Sequence, residues 1–73
     1  METEEFLQNV KKALQTNKDI DLNTNLLDLN EWDSLGMVSM VAMFDEKYGK
    51  KVSFQKLMDV DTVNDLQKIL NDD

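Results

Sequence analysis

Apolar residues recur at intervals of three and four in three separate stretches of this chain, the spacing that gathers side chains on one side of an α-helix. Phe6, Leu7, Val10, Ala13 and Leu14 form the first stripe, and Met37, Met40, Val41, Phe44 and Tyr48 the second. Val63, Leu66, Ile69 and Leu70 form the third. The spacing predicts helices over about 3–15, 34–48 and from residue 62 onward. Thr3 can cap the first, with Glu4 and Glu5 in its first turn, where the helix dipole favours acids. Gly49 is placed to end the second in a left-handed turn. Thr62 with Asp65 three residues on is a weaker form of the capping box. A short additional helix is expected near residues 53–58. The expected fold is all-α, a small four-helix bundle of three longer helices and one short one.

Residues 16–33 are left as a long connection. Asn17, Asn23, Asn25 and Asn30 are its turn formers, and Ile20, Leu22, Leu26, Leu27, Leu29 and Trp32 would pin it to the core. A connection of this length inside a small domain needs such anchors and is commonly functional.

At 73 residues the chain is a single small domain, 1–73, with no internal repeat. It has no Cys, no His and no Pro. Those absences remove disulfide staples, thiol nucleophiles, His-based triads and the usual zinc ligands. A scaffold of this size draws only about 3–5 kcal/mol from its core. A self-contained enzyme is therefore not expected.

Fifteen acids against eight bases leave a net charge of −7, unevenly spread. Residues 19–33 hold five acids and no base, residues 47–56 four lysines and no acid, and residues 59–73 five acids against Lys68. Such runs are ordinarily solvated faces. An acidic chain is poorly suited to phosphate backbones, so neither nucleic acid nor anionic membrane is an expected partner. The longest apolar run, Met37–Phe44, is interrupted by Ser39 and far too short to span a bilayer. The first five residues are acidic where a signal peptide would be basic, which leaves the cytoplasm as the expected location.

Asp19, Asp21 and Asn23 fall at positions 1, 3 and 5 of an EF-hand-like loop, with Leu26 at its apolar position 8. Thr24 stands where the sharp turn needs Gly, and Asn30 where a bidentate Glu is needed, with Glu31 one residue late. No metal site is expected. Ser34, in Trp32-Asp33-Ser34-Leu35-Gly36, has no base to activate it and no Gly two positions before it, so it is not a hydrolase nucleophile. Ser34 or Asp33 can cap the second helix. Leu35, Val38 and Ala42 form an apolar strip beside the core stripe, and they could equally be boundary residues of an amphipathic helix.

Asp33-Ser34-Leu35 resembles the Asp-Ser-Leu motif of acyl and peptidyl carrier proteins, and the likeness extends along nearly the whole chain. A first helix and long loop precede the serine. It opens a second helix ending at Tyr48-Gly49, and a short helix and Asp61-Thr62-Val63 follow in the family's order. The resemblance implies a 4′-phosphopantetheine arm, derived from coenzyme A, attached to Ser34. It implies that Asp33, Leu35 and Gly36 are read by the modifying phosphopantetheinyl transferase, and that Leu35, Val38, Ala42, Asp28 and Glu31 meet partners. Those partners would be acyl-loading and acyl-transfer or condensing enzymes, met by a monomer. Met37, Met40, Val41 and Met58 could form a pliable acyl pocket, although Met equally serves as core filler. Gly36 and Ser39 stand where fatty-acid carriers usually show acids. Trp32-Asp33-Ser34-Leu35-Gly36 is more similar to stand-alone carriers of specialised aminoacyl, polyketide or surface-glycan pathways. The competing reading is an unmodified acidic helical interaction domain.

Overall fold

The computed structural model describes residues 3–71, which leaves the acids Glu2, Asp72 and Asp73 outside the described residues. Helix α1 spans Thr3–Leu14, α2 Ser34–Tyr48, α3 Phe54–Met58 and α4 Val63–Asn71, with a 3-10 turn at Leu26–Asp28. The chain has the expected all-α, four-helix architecture. Among the described residues, strand-like pairing amounts to one isolated antiparallel bridge, between Asn25 and Thr62.

Boundaries differ from the sequence expectation where backbone conformation, rather than periodicity, decides them. Thr3 is the first residue of α1 instead of its cap, and its Oγ1 accepts from Gln67 Nε2 at 3.2 Å. Helix α1 stops one residue early because Gln15 takes a left-handed conformation, φ 56°. The N–H groups of Gln15 and Thr16 then donate back to the carbonyls of Lys12 and Lys11, a termination usually given to Gly or Asn. Ser53 caps α3 through its Oγ, which accepts from Lys56 N. At the start of α4, Asp65 Oδ2 accepts from the N–H groups of Asp61 and Thr62, while Thr62 Oγ1 accepts from Asp65 N. This is the capping box, shifted so that the helix proper begins at Val63.

The core is centred on Phe6, Val10, Leu26, Met40, Phe44, Leu57, Val63 and Leu66, all fully buried. Phe6, Phe44 and Tyr48 form a tilted aromatic triad with ring centroids 6.1–6.4 Å apart. Tyr48 Oη accepts from Asn9 Nδ2 at 2.9 Å, joining the end of α2 to the middle of α1. Helix α2 packs most extensively on α1 and also meets α3, so its buried arc is wider than one stripe and includes Met43 and Gly36. Gly49, φ 63°, ends α2 as expected.

The long connection is anchored, but not by every leucine. Leu26, Leu29 and Trp32 are buried and Ile20 and Leu22 pack partly against the core. Leu27, expected among the anchors, is 67% exposed because the 3-10 turn directs Leu26 inward. Backbone bonds from Leu26 N to Asp61 O, Val63 N to Thr24 O and Asn64 N to Leu22 O tie this connection to the entry of α4.

Candidate functional site

Asp33 holds extended backbone (φ −124°, ψ −170°) immediately before α2, and its Oδ1 accepts from Gly36 N at 2.9 Å. Its own carbonyl accepts the first bond of the helix, from Met37 N. The expected ambiguity over the cap is thereby resolved: Asp33 caps, and Ser34 is the first helical residue. Ser34 is exposed. Among the described residues, the N–H groups of Ser34 and Leu35 have no protein acceptor. They are the orphan donors that a helix start offers to an anion.

A phosphodiester fits this position. The hydroxyl is accessible, two backbone donors lie beside it, and a helix of 15 residues stands behind it. The one adjacent carboxylate, Asp33, already accepts from the helix. Trp32 is buried at the end of the connection and belongs to the core, as expected of an anchor.

Leu35 (75% exposed) and Val38 (55% exposed) project from α2 into solvent with Ala42, as the spacing predicts. Asp28 is exposed in the 3-10 turn. Glu31 is half-buried, and its Oε1 is shielded from solvent without a hydrogen-bond donor. Leaving a buried acceptor unmatched costs about 1–3 kcal/mol. Gly36 is buried beneath the connection, where a Cβ would collide with the Glu31 carbonyl oxygen. Its requirement is steric.

The four residues of the expected acyl pocket differ in burial. Met40 is fully enclosed by the core, Met37 and Val41 are partly buried against it, and Met58 is 61% exposed. Val41 lines a groove of about 510 Å³ with Ala42, Asp45, Lys51, Val52 and Ser53. A second cleft, of about 260 Å³, runs between the end of α1 and the start of α2, lined by Ala13, Leu14, Gln15, Glu31, Asp33, Leu35, Gly36 and Ser39. Sequence reasoning did not find it. The shared small residues Ala13, Gly36 and Ser39 are its only sequence signal.

In the acidic loop, Asp21 Oδ1 accepts from Asn23 N and Thr24 Oγ1, and Asp21 N donates to Thr24 Oγ1. The carboxylate is thus engaged in shaping its own turn. Among the described residues there is no group of three or more Asp, Glu, His or Cys arranged to hold a metal, and no helix is long and apolar enough to cross a membrane.

Residues 4–70 match the family model described as the phosphopantetheine attachment site. Among solved structures, the chain is similar to one described as an acyl carrier protein from Mycobacterium tuberculosis. The TM-score is 0.78 at 22% sequence identity, covering 94% of this chain and 93% of that one. That likeness shows a shared fold. No protein of curated function matches the chain in sequence.

Proposed function

This chain belongs to the phosphopantetheine attachment-site family, and from that membership we propose that it is an acyl or aminoacyl carrier protein loaded on Ser34. The observation that carries the reading is the exposed Ser34 hydroxyl on the first residue of α2, with Asp33 fixing the helix start around it. The arm supplies the thiol that holds cargo as a thioester, a group that the Cys-free chain lacks.

The residues of this chain then have three tasks. Ser34 presents a hydroxyl in fixed orientation, and the modifying transferase supplies the base and Mg²⁺. The N–H groups of Ser34 and Leu35, with the positive end of the α2 dipole, would offer donors to the phosphodiester of an attached arm. Leu35, Val38 and Ala42 give partner enzymes an apolar strip to desolvate, and Asp28 and Glu31 supply charge beside it. The partners are the phosphopantetheinyl transferase, acyl-loading enzymes and acyl-transfer or condensing enzymes, met by a cytoplasmic monomer. The scarcity of acid on α2 near Ser34, with Gly36 and Ser39 in the first two turns, supports a specialised pathway over general fatty-acid synthesis.

Incubating the apo protein with coenzyme A, Mg²⁺ and a purified promiscuous phosphopantetheinyl transferase tests this. Intact mass rises by one arm in the wild type and stays constant in Ser34→Ala. A wild type that gains no mass overturns the reading and leaves an unmodified helical interaction domain.

A further inference from the structure

Three of the four lysines between residues 47 and 56 converge on one side of the fold. Lys50 and Lys51, from the α2–α3 connection, and Lys56, from α3, line a concavity of about 330 Å³ with Val52, Ser53 and Ile69. Lys47 lies apart, in the groove between α1 and α2 with Glu46 and Lys12. Lys51 also lines the groove that holds Ala42 and Asp45, so the lysine face continues from the last residue of the apolar strip. Among the described residues no acid lines the concavity, and Asp45 is the one acid lining the groove. The Asp45–Lys51 pair, at 3.5 Å, leaves the lysine side chain 88% exposed, so its charge stays available to solvent and to partners. Lys56 is exposed and forms no ion pair among the described residues. On a chain of net charge −7 this is a local reversal of sign. Balancing the negative end of the α2 dipole accounts for bases next to Gly49, but not for a lysine brought alongside them on α3.

We infer that this face, about 20 Å along α2 from Ser34, docks an acidic surface of a partner protein. Charge complementarity selects that occupant. Every base in the chain is a lysine, so the face lacks the planar forks that grip a phosphate bidentately. Solvated point charges on separate segments suit carboxylates spread over a protein surface. A nucleic-acid strand running past these lysines would meet the acidic remainder of the chain. A partner surface that carries its acids only opposite the lysines would not. Asp28 and Asp33 stand at one end of α2 and the lysines at the other. A partner with two matching patches therefore has one favoured direction along the helix. The inference does not depend on the arm.

The test is titration of the isotope-labelled apo protein with an oligoglutamate peptide at low salt, followed by backbone amide shifts in NMR spectra. Saturating shifts are expected at residues 50–56 and at Ala42 and Asp45, and they should fade as salt is raised. Lys51→Gln combined with Lys56→Gln is expected to weaken binding about fivefold, as for loss of two solvated charge contacts. Lys12→Gln combined with Lys18→Gln makes the same change in net charge elsewhere and should leave the affinity unchanged. The spectra themselves confirm that each variant is folded. Absent shifts, shifts spread equally over the α1 lysines, or equal weakening by the two double variants overturns the inference. So does inorganic phosphate that shifts the same amides with equal affinity at matched ionic strength, which would make the face a simple anion site. Tighter binding of a single-stranded oligonucleotide than of the peptide overturns it as well. Each of these results leaves the loading of Ser34 untouched, and a wild type that is never loaded leaves the peptide titration to stand by itself.

Discussion

The carbonyl oxygen of Glu31 lies over the Cα of Gly36, closer than any Cβ at residue 36 could tolerate. The Leu14 side chain closes the same space from α1, with its Cδ2 3.1 Å from where that Cβ would stand. Residue 36 is thus the point where the end of the long connection, the end of α1 and the first turn of α2 meet. Gly36→Ala gains about 1 kcal/mol of helix propensity, but must push the Glu31 backbone away, an overpacking cost of about 1–3 kcal/mol. Urea unfolding is expected to show a net loss of up to about 2 kcal/mol. Loading of Ser34 should slow as well, because the displaced backbone leads directly into Asp33.

Leu35 and Val38 behave oppositely. Both are mostly solvated, so truncation removes little buried surface. Leu35→Ala and Val38→Ala are expected to change stability by less than about 0.5 kcal/mol, and to lower the efficiency of loading or acyl transfer severalfold. Parallel unfolding curves with unequal transfer kinetics would establish the strip as a contact surface. A matching loss of stability would return both residues to a packing role.

Charge on the two sides of Ser34 is not equivalent. Asp45 shares its carboxylate with Lys51 at 3.5 Å, whereas Asp28 is exposed in the turn ahead of α2. Asp28→Lys should slow modification more than Asp45→Lys, measured as kcat/KM for apo protein at low salt. Equal rates would remove the connection from the recognition surface.

The Asp65 carboxyl is held below the usual aspartate value, first by the Asp61 N–H, then by the Thr62 N–H. A depressed folded pKa stabilises the fold above the unfolded value and is lost as pH falls through the folded one. Asp65→Asn should therefore be less stable than wild type near neutrality. The gap should narrow as pH drops below about 4, where the wild-type carboxyl protonates too. Urea midpoints of the two proteins between pH 7 and pH 3 provide the check. A gap independent of pH would assign the effect to shape instead of charge.

Cargo sheltered among Met37, Met40, Val41 and Met58 would have to open the packing around the fully buried Met40. On acylation, the methyl signals of Met37, Met40 and Met58 are expected to shift together in NMR spectra if the cargo enters there. If only exposed Met58 responds, the cargo stays outside.

Periodicity made the three longer helices legible, and Asp33-Ser34 with Gly49 marked both ends of α2. What periodicity could not reveal depended on neighbours. Met43 falls outside the stripe of Met40 and Phe44 as drawn from sequence, but α1 covers that flank and buries it. Val52, Leu57 and Val60 join the core from short segments with too few residues to display a period. Leu27 looked as fit an anchor as Leu26, and only the 3-10 turn separates them. At the site, the serine and its cap were readable, whereas the unmatched Glu31 oxygen depends on three segments closing together. Gly36 was noticed for its place in a motif, yet its structural requirement comes from a backbone atom five positions earlier.

The hydrogen bonds from residues 22–26 to residues 61–64 give the serine a dependence that its own neighbourhood does not reveal. The segment leading into Ser34 is held from a point nearly thirty residues further along the chain than the serine. A peptide bearing Trp32-Asp33-Ser34-Leu35-Gly36 would offer the same atoms without their platform. The attachment point is thus a property of the assembled tertiary structure, and an enzyme that grips the surfaces around Ser34 also senses whether the far end of the chain has docked.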